Sequence, residues 1–522
     1  MRYSKKIAAV LLIFLPVVAL GSYGMEPRIG GEFVFATSSP VQTLDPHLAL
    51  DKNSIQVSKT IYESLVKYSR EDKAIRSCLA VTWEVKEQGR EWIFHLRKGV
   101  RFHDGTPLNA DVVVFSFERQ LNPNHPDYEE KYFYGRHLFG ELVDKVRAVD
   151  EYTVKFTLKI PYIPFIYSLT SPAAMIVGAK ALGENFYQHR AGTGPFKLLN
   201  WKENGEVVLE RYEDYWGEKA YLDSLIFRPI AQQNRRIQAL IKGEIESVQL
   251  EDVAGIKSIS ESTDRSRLMQ VFHLDVAYLA LNMRRSPLNQ LKVREAVYRA
   301  IDKEKLQERF YPEKAIMARG LVPPILWGHN PDLLEYEFDP DRAQKLLKEA
   351  KVEKFTLSLL IPESPVSYLP DPQGIAEQIK NDLAQIGIGV QIIKTDWRNY
   401  LERCEKGEHH MALSGWRADF PDPDNFLYPL LDPEVVGKSS NTNWSFYQSG
   451  FFHEILERAR QVTDQVERTR LYQVAQKIVQ QDIPCIPLIH TTGMIAFSPE
   501  VKGMTIDSTG IIEFDKVWIS KK

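Results

Sequence analysis

Asp419, Asp422 and Asp424 place three carboxylates within six residues, a spacing that raises calcium binding. An EF-hand loop counted from Asp419 needs Gly at its sixth position and Glu at its twelfth. The chain has Asp424 and Leu430 there, and Pro421 and Pro423 interrupt the run. No metal site is predicted. Glu408 adjoins His409-His410, but consecutive residues on a strand point to opposite faces. With no His-Glu-x-x-His, these histidines read as solvated or internally satisfied. Gly192-Thr-Gly194 runs straight into Pro195. A phosphate cradle needs a backbone donor there or a following Gly-Lys-Ser/Thr, so a tight turn is the better reading. The chain lacks the Gly-x-Ser-x-Gly elbow of serine hydrolases, and its 69 acids single out no carboxylate pair for glycoside cleavage. Cys78, Cys404 and Cys485 fit no metal spacing, and their odd number leaves at least one thiol unpaired. They read as buried, inert thiols, with a single disulfide between two of them left open. No cofactor is predicted.

The elements around these residues alternate between strand-like and helix-like patterns, which predicts a mixed α/β class. Gly31–Ala36 reads as a strand leading into the loop Ser38–His47. Trp92, Phe94 and Leu96 alternate before Arg97-Lys-Gly99, and Val100 and Phe102 continue the pattern, which predicts a hairpin. Asn109 caps a helix through Glu118. Asp339-Pro340 opens another, with Ala343, Leu346, Leu347 and Ala350 as its buried stripe. Ile375, Ile379, Leu383 and Ile386 form a third stripe; Gly387 ends that helix, and Ile388, Val390 and Ile392 follow as a strand. Two apolar extended runs, Val271–Met283 and Cys485–Phe497, have the character of crossovers between lobes.

Composition excludes several classes. Hydrophobic residues are 44% and charged residues 26%, the mix of a soluble globular protein of several domains. Lys plus Arg (66) nearly balances Asp plus Glu (69), so no positive field collects nucleic acid. At the N-terminus Arg2, Lys5 and Lys6 precede the apolar run Ile7–Leu20, the pattern of a secretory signal. Residues 1–24 are read as that signal, with cleavage after Gly21 or Gly24. No Cys follows the run before Cys78, so no acyl anchor is expected.

Three blocks carry a resemblance. Leu79-Ala-Val-Thr-Trp83-Glu-Val with Phe94-His-Leu-Arg-Lys-Gly-Val-Arg-Phe-His-Asp-Gly-Thr-Pro107 and Asp111–Arg119 is the first. Gly192-Thr-Gly-Pro-Phe196 followed by Leu209-Glu-Arg-Tyr-Glu-Asp-Tyr-Trp-Gly217 is the second, and Gly415-Trp416 with Pro421-Asp-Pro-Asp-Asn-Phe426 the third. Together they resemble solute-binding protein family 5, the extracellular proteins that serve peptide and nickel ABC importers, and among them the periplasmic oligopeptide-binding proteins. The resemblance implies a two-lobed periplasmic binding protein fold (class II) with an extra domain inserted in the first lobe. Its divisions are expected at 25–55, 186–272 and 487–522 for lobe I, 56–185 for the inserted domain and 273–486 for lobe II. It implies a periplasmic monomer that captures a peptide between its lobes and delivers it to an inner-membrane ABC permease, with no reaction. The same fold also serves non-peptide solutes such as a nickel chelate, haem, an oligosaccharide or an opine. A secreted hydrolase is the reading from another class.

A buried peptide ammonium calls for a carboxylate, and the resemblance puts Asp419 in that role. Without it, an Asp in such a loop is better explained by capping a turn or helix. Gly415 and Arg417 are expected to offer backbone groups to the peptide, and Val41 to lie on a ligand-facing loop of the first lobe. Trp397 and Trp416 are expected to wall the cleft, with Tyr132 and Tyr134 as further candidates on the inserted domain. One departure stands out. Dipeptide specialists of the family are expected to carry an Arg near Pro362–Gln373, and this chain has neither Arg nor Lys there. Arg417 is the alternative cation for a peptide carboxylate.

Overall fold

The structure, a computed structural model, describes residues 26–178, 191–250, 255, 257–259, 266–311, 315–438, 441–507 and 509–520. The expected signal segment lies outside them.

Glu32–Thr37 is the central strand of a seven-stranded sheet, ordered Arg267–Phe272, Thr492–Phe497, Ser247–Leu250, Glu32–Thr37, Ser224–Pro229, Val207–Arg211, Phe196–Trp201. It runs parallel to both neighbours, and all but its first residue are buried, as expected of a strand covered on both faces. A second sheet is ordered Ile316–Met317, Cys485–His490, Asp275–Leu281, Met411–Arg417, Phe355–Pro362, Ile388–Thr395. The run Val271–Met283 leaves the first sheet at Phe272 and enters the second at Asp275, and Cys485–Phe497 returns across Thr491.

The two crossings are tied together. The buried carboxylate of Asp275 accepts from the Thr491 amide at 2.9 Å and the Thr491 hydroxyl at 2.6 Å. His490 Nδ1 donates to the Asp275 carbonyl at 2.8 Å. His273 Nδ1 lies 3.1 Å from Thr491 Oγ1. Because that hydroxyl already donates to Asp275, the ring nitrogen is the donor, which leaves His273 Nε2 as an acceptor. Its buried Nε2 has no partner among the described residues.

A four-stranded antiparallel sheet, Ala80–Lys86, Glu91–Leu96, Thr153–Leu158 and Val143–Asp150, lies between the first two strands of chain that build the large sheets. The hairpin expected over 92–102 does not form. Glu91–Leu96 pairs backward with Ala80–Lys86 and forward with Thr153–Leu158. The tight turn is upstream, at Gln88 (φ 56°) and Gly89 (φ 94°). Val100 and Phe102 are buried loop residues, because alternation reports which face is covered and not which strand is the partner. The aromatic core of this unit, with Phe94, Phe156 and Phe165, is continuous with Trp327, Tyr278 and Leu360 around the second sheet.

The helix caps follow side-chain chemistry. Asn109 Oδ1 accepts from Val112 N at 3.1 Å, and the helix Ala110–Leu121 runs three residues past the expected end. Asp339 caps Pro340–Glu349, whose Ala343, Leu346 and Leu347 are buried. Each leucine contributes about 1.5–3 kcal/mol by leaving water. Pro372–Gln385 ends before Gly387, whose φ of +84° only glycine adopts without strain. Ile388–Thr395 follows, parallel to Phe355–Pro362. All three cysteines are free and buried. No helix among the described residues is long and apolar enough to cross a membrane.

Candidate functional site

A cavity of about 320 Å³ lies where the two large sheets face each other near the crossings. One wall is the helix Lys52–Ile61, which contributes Lys52, Ile55 and Lys59, together with Thr509 and Ile511. Asp51 starts that helix, its carboxylate accepting from Ser54 N at 2.9 Å. The opposite wall is Arg417, Ala418 and Asp419, just after the strand Met411–Arg417. His273 lines the crossing, and Tyr134 with Thr170–Pro172 closes a third side.

Asp419 lies on the cavity wall among neutral polar groups. Its backbone amide donates to Asn425 Oδ1 at 2.8 Å, which fixes the loop. The Tyr134 phenol and the Asn425 side chain hydrogen-bond its carboxylate. Burial pushes its carboxyl above the usual range, and the field of His137 only partly opposes this. No lysine or arginine among the described residues forms an ion pair with it. A carboxylate in such surroundings gains most from a cation that enters the cavity.

Arg417 points its half-exposed guanidinium into the same space, with Nη2 3.6 Å from Asp275 Oδ2. The other acids of the loop are committed elsewhere. Asp422 meets Arg468 Nη2 at 2.8 Å. Asp424 accepts from the Tyr162 hydroxyl at 2.8 Å and lies 3.5 Å from Arg460 Nε. His409 Nε2 bonds the Trp444 carbonyl at 2.9 Å, and His410 Nδ1 meets Ser358 Oγ at 2.8 Å.

The structure thus brings together three of the expected residues: Asp419, Arg417 and Tyr134. The others lie elsewhere. Val41 is 4% exposed in the core behind the first sheet, because the loop turns its apolar side chain inward. Tyr132 is equally buried. Its ring covers Arg119, and its hydroxyl accepts from that guanidinium at 2.5 Å and donates to Asp45 at 3.3 Å. It fastens its own segment to the loop that carries Asp45 and does not line the cavity. Trp397 is 44% exposed and stacks on Tyr400 at 5.6 Å, outside the cavity. Trp416 packs against the core, its buried indole nitrogen without a partner among the described residues. Gly415 pairs with Ala277, and a Cβ there would meet the Tyr368 ring at 2.2 Å. Lys52, His273, Thr509 and Ile511 also line the cavity, and no motif in the sequence marks them for it. The Asp51-x-x-Ser54 cap was a readable signal for the helix that carries Lys52, but nothing local ties that helix to Asp419.

A neighbouring cavity of about 170 Å³ shares Lys59, Thr170, Thr509 and Ile511 with the first. On its wall the Glu63 carboxylate accepts from Trp216 Nε1, the Tyr215 hydroxyl and the Thr193 hydroxyl, each at 2.8 Å. Two parts of the second sequence block therefore converge on one buried acid. Gly192 is required by contact, since a Cβ there would stand 2.0 Å from the Ile61 carbonyl oxygen. The tight-turn reading accounts for it without a phosphate.

This two-sheet architecture with a cavity at paired crossings defines a class of binding proteins. The family described as bacterial extracellular solute-binding proteins, family 5 Middle, matches residues 74–438, and the chain belongs to it. The dipeptide-binding protein of Escherichia coli (strain K12) is 32% identical over 542 residues, covering 99% of this chain and 100% of the relative. Heme-binding protein A of Haemophilus influenzae is 32% identical over 510 residues, covering 94% and 92%. The structure of HbpA2 from Haemophilus parasuis superposes with a TM-score of 0.89 at 30% identity, covering 94% of this chain and 100% of that one.

Proposed function

We propose that this chain is the periplasmic binding component of an ABC importer and that its solute is a peptide with a free amino terminus. The observation that carries the reading is Asp419: a carboxylate on a cavity wall, held by neutral donors, with no lysine or arginine pairing among the described residues. The dipeptide-binding relative supports a peptide, and the haem-binding relative supplies the competing solute. The wall favours the peptide, because its charges of both signs suit a zwitterion better than an extended apolar ring.

In this reading residues 1–24 are removed on export, no acyl chain anchors the mature protein, and it acts as a monomer. It performs no reaction. Lobe I (25–55, 186–272 and 487–522) and lobe II (273–486) close about the two crossings, with 56–185 as the inserted domain. The closed form is the one the inner-membrane permease receives.

Calorimetry with short peptides tests it. A charge-assisted contact of about 1.5–3 kcal/mol predicts that N-acetylation weakens binding about 10- to 150-fold. Equal affinity for free and acetylated peptides would remove Asp419 from the ammonium role.

A further inference from the structure

The charges on the cavity wall do not cancel internally. Lys59 is paired with Asp507. Arg417 is held on one side by Asp275, with much of its guanidinium still open to the cavity. His273 is held neutral: burial and the fields of Lys52 and Arg417 pull it down to about 3. Lys52 forms no hydrogen bond or ion pair among the described residues. One negative and two positive groups are left facing the solute: Asp419 and Arg417 on the second-sheet side, and Lys52 on the first.

Lys52 stands in a costly place. It opens a helix, where a cation opposes the macrodipole and the backbone amides favour an anion. Burial and the nearby Arg417 pull its ammonium down to about 8, and Asp507 only partly offsets them. An anion between Lys52 and Arg417 would relieve both the repulsion and the lost hydration. Meanwhile Pro362–Gln373, which offers no cation, instead lays Tyr368 over Gly415.

We infer that Lys52 and Arg417 form a carboxylate clamp across the two lobes, which receives the C-terminal carboxylate of a short peptide whose ammonium is on Asp419. The inference rests on the peptide reading above and adds the ligand's other end. It makes the chain selective for free-acid peptides, and it makes lobe closure depend on a charge from each side. The cavity of about 320 Å³ lies at the small end of the range for small-molecule sites, so both termini fall within one compartment.

The test uses calorimetry at pH 7 with alanine–leucine peptides of two to five residues, each as free acid, C-terminal amide and N-acetyl form. The wild type is expected to bind the free acid about 10-fold or more tighter than the amide. Lys52→Met should erase that preference while N-acetyl discrimination persists, and Lys52→Arg should keep it. Equal binding of acid and amide by the wild type, or an unchanged preference in Lys52→Met, would overturn the clamp and leave the peptide reading standing. If the wild type binds none of these peptides, both fall together. Melting curves confirm that each variant is folded.

Discussion

Asp422 and Asp419 stand three residues apart on one loop, and the cations around them differ. Asp422 meets the Arg468 guanidinium at 2.8 Å in the core, where Trp327 covers that arginine with its ring centroid 4.8 Å away. Asp419 meets a phenol, an amide and an open cavity. Both carboxyls are raised by burial. Burial of an acid does not by itself mark a ligand site. A buried acid with a protein cation fastens elements together, while one without a cation is open to a cation from outside.

Breaking the structural half of the comparison has the largest expected effect. Arg468→Ala leaves Asp422 buried and unpaired, and should lower stability by about 3–5 kcal/mol, read by denaturant melting. Asp419→Asn should do the opposite. Melting stays near wild type, because Asn still accepts from Tyr134, while peptide affinity falls about 10- to 150-fold by calorimetry. Tyr134→Phe removes one neutral hydrogen bond and should cost about 0.5–1.5 kcal/mol of affinity, a 2- to 12-fold loss. Trp397→Ala, at an exposed stack outside the cavity, should change stability by less than about 0.5 kcal/mol and leave affinity unchanged.

A pH measurement approaches the same contrast from the cation on the opposite wall. Lys52 titrates at about 8 in the folded chain, below its ordinary 10.5. Between those values the native state binds fewer protons than the unfolded state, so stability of the ligand-free protein rises with pH across that window from this group. Below about pH 8 the cost of its charge is fully present. Lys52→Met should remove this increment from the difference between melting curves at pH 8 and pH 10.

Local chemistry was readable where it acts over a few residues. Asp339-Pro340 and Gly387 set helix boundaries because caps and left-handed turns use neighbouring atoms. The two crossover runs were visible because buried strands are continuously apolar. Pairing was not readable: Glu32–Thr37 lies against Ser224–Pro229, 192 positions away, and no local pattern encodes that choice. The site shares this limit. Asp419 and Arg417 came from one motif, but Lys52 and Thr509 reach the cavity from opposite ends of the chain. Val41, Tyr132 and Trp397 show that aromatic or apolar character near a motif does not reveal which way a side chain turns.

If Asp419 holds the amino terminus of a peptide, the ligand carried through purification depends on that carboxylate. Native mass spectrometry of protein purified from the producing cells without refolding tests it most directly, with wild type and Asp419→Asn compared. The wild type should carry adduct masses built from amino-acid residues, and the asparagine variant should be stripped of them. A haem, sugar or metal-chelate adduct, or peptides retained equally by both proteins, would contradict it.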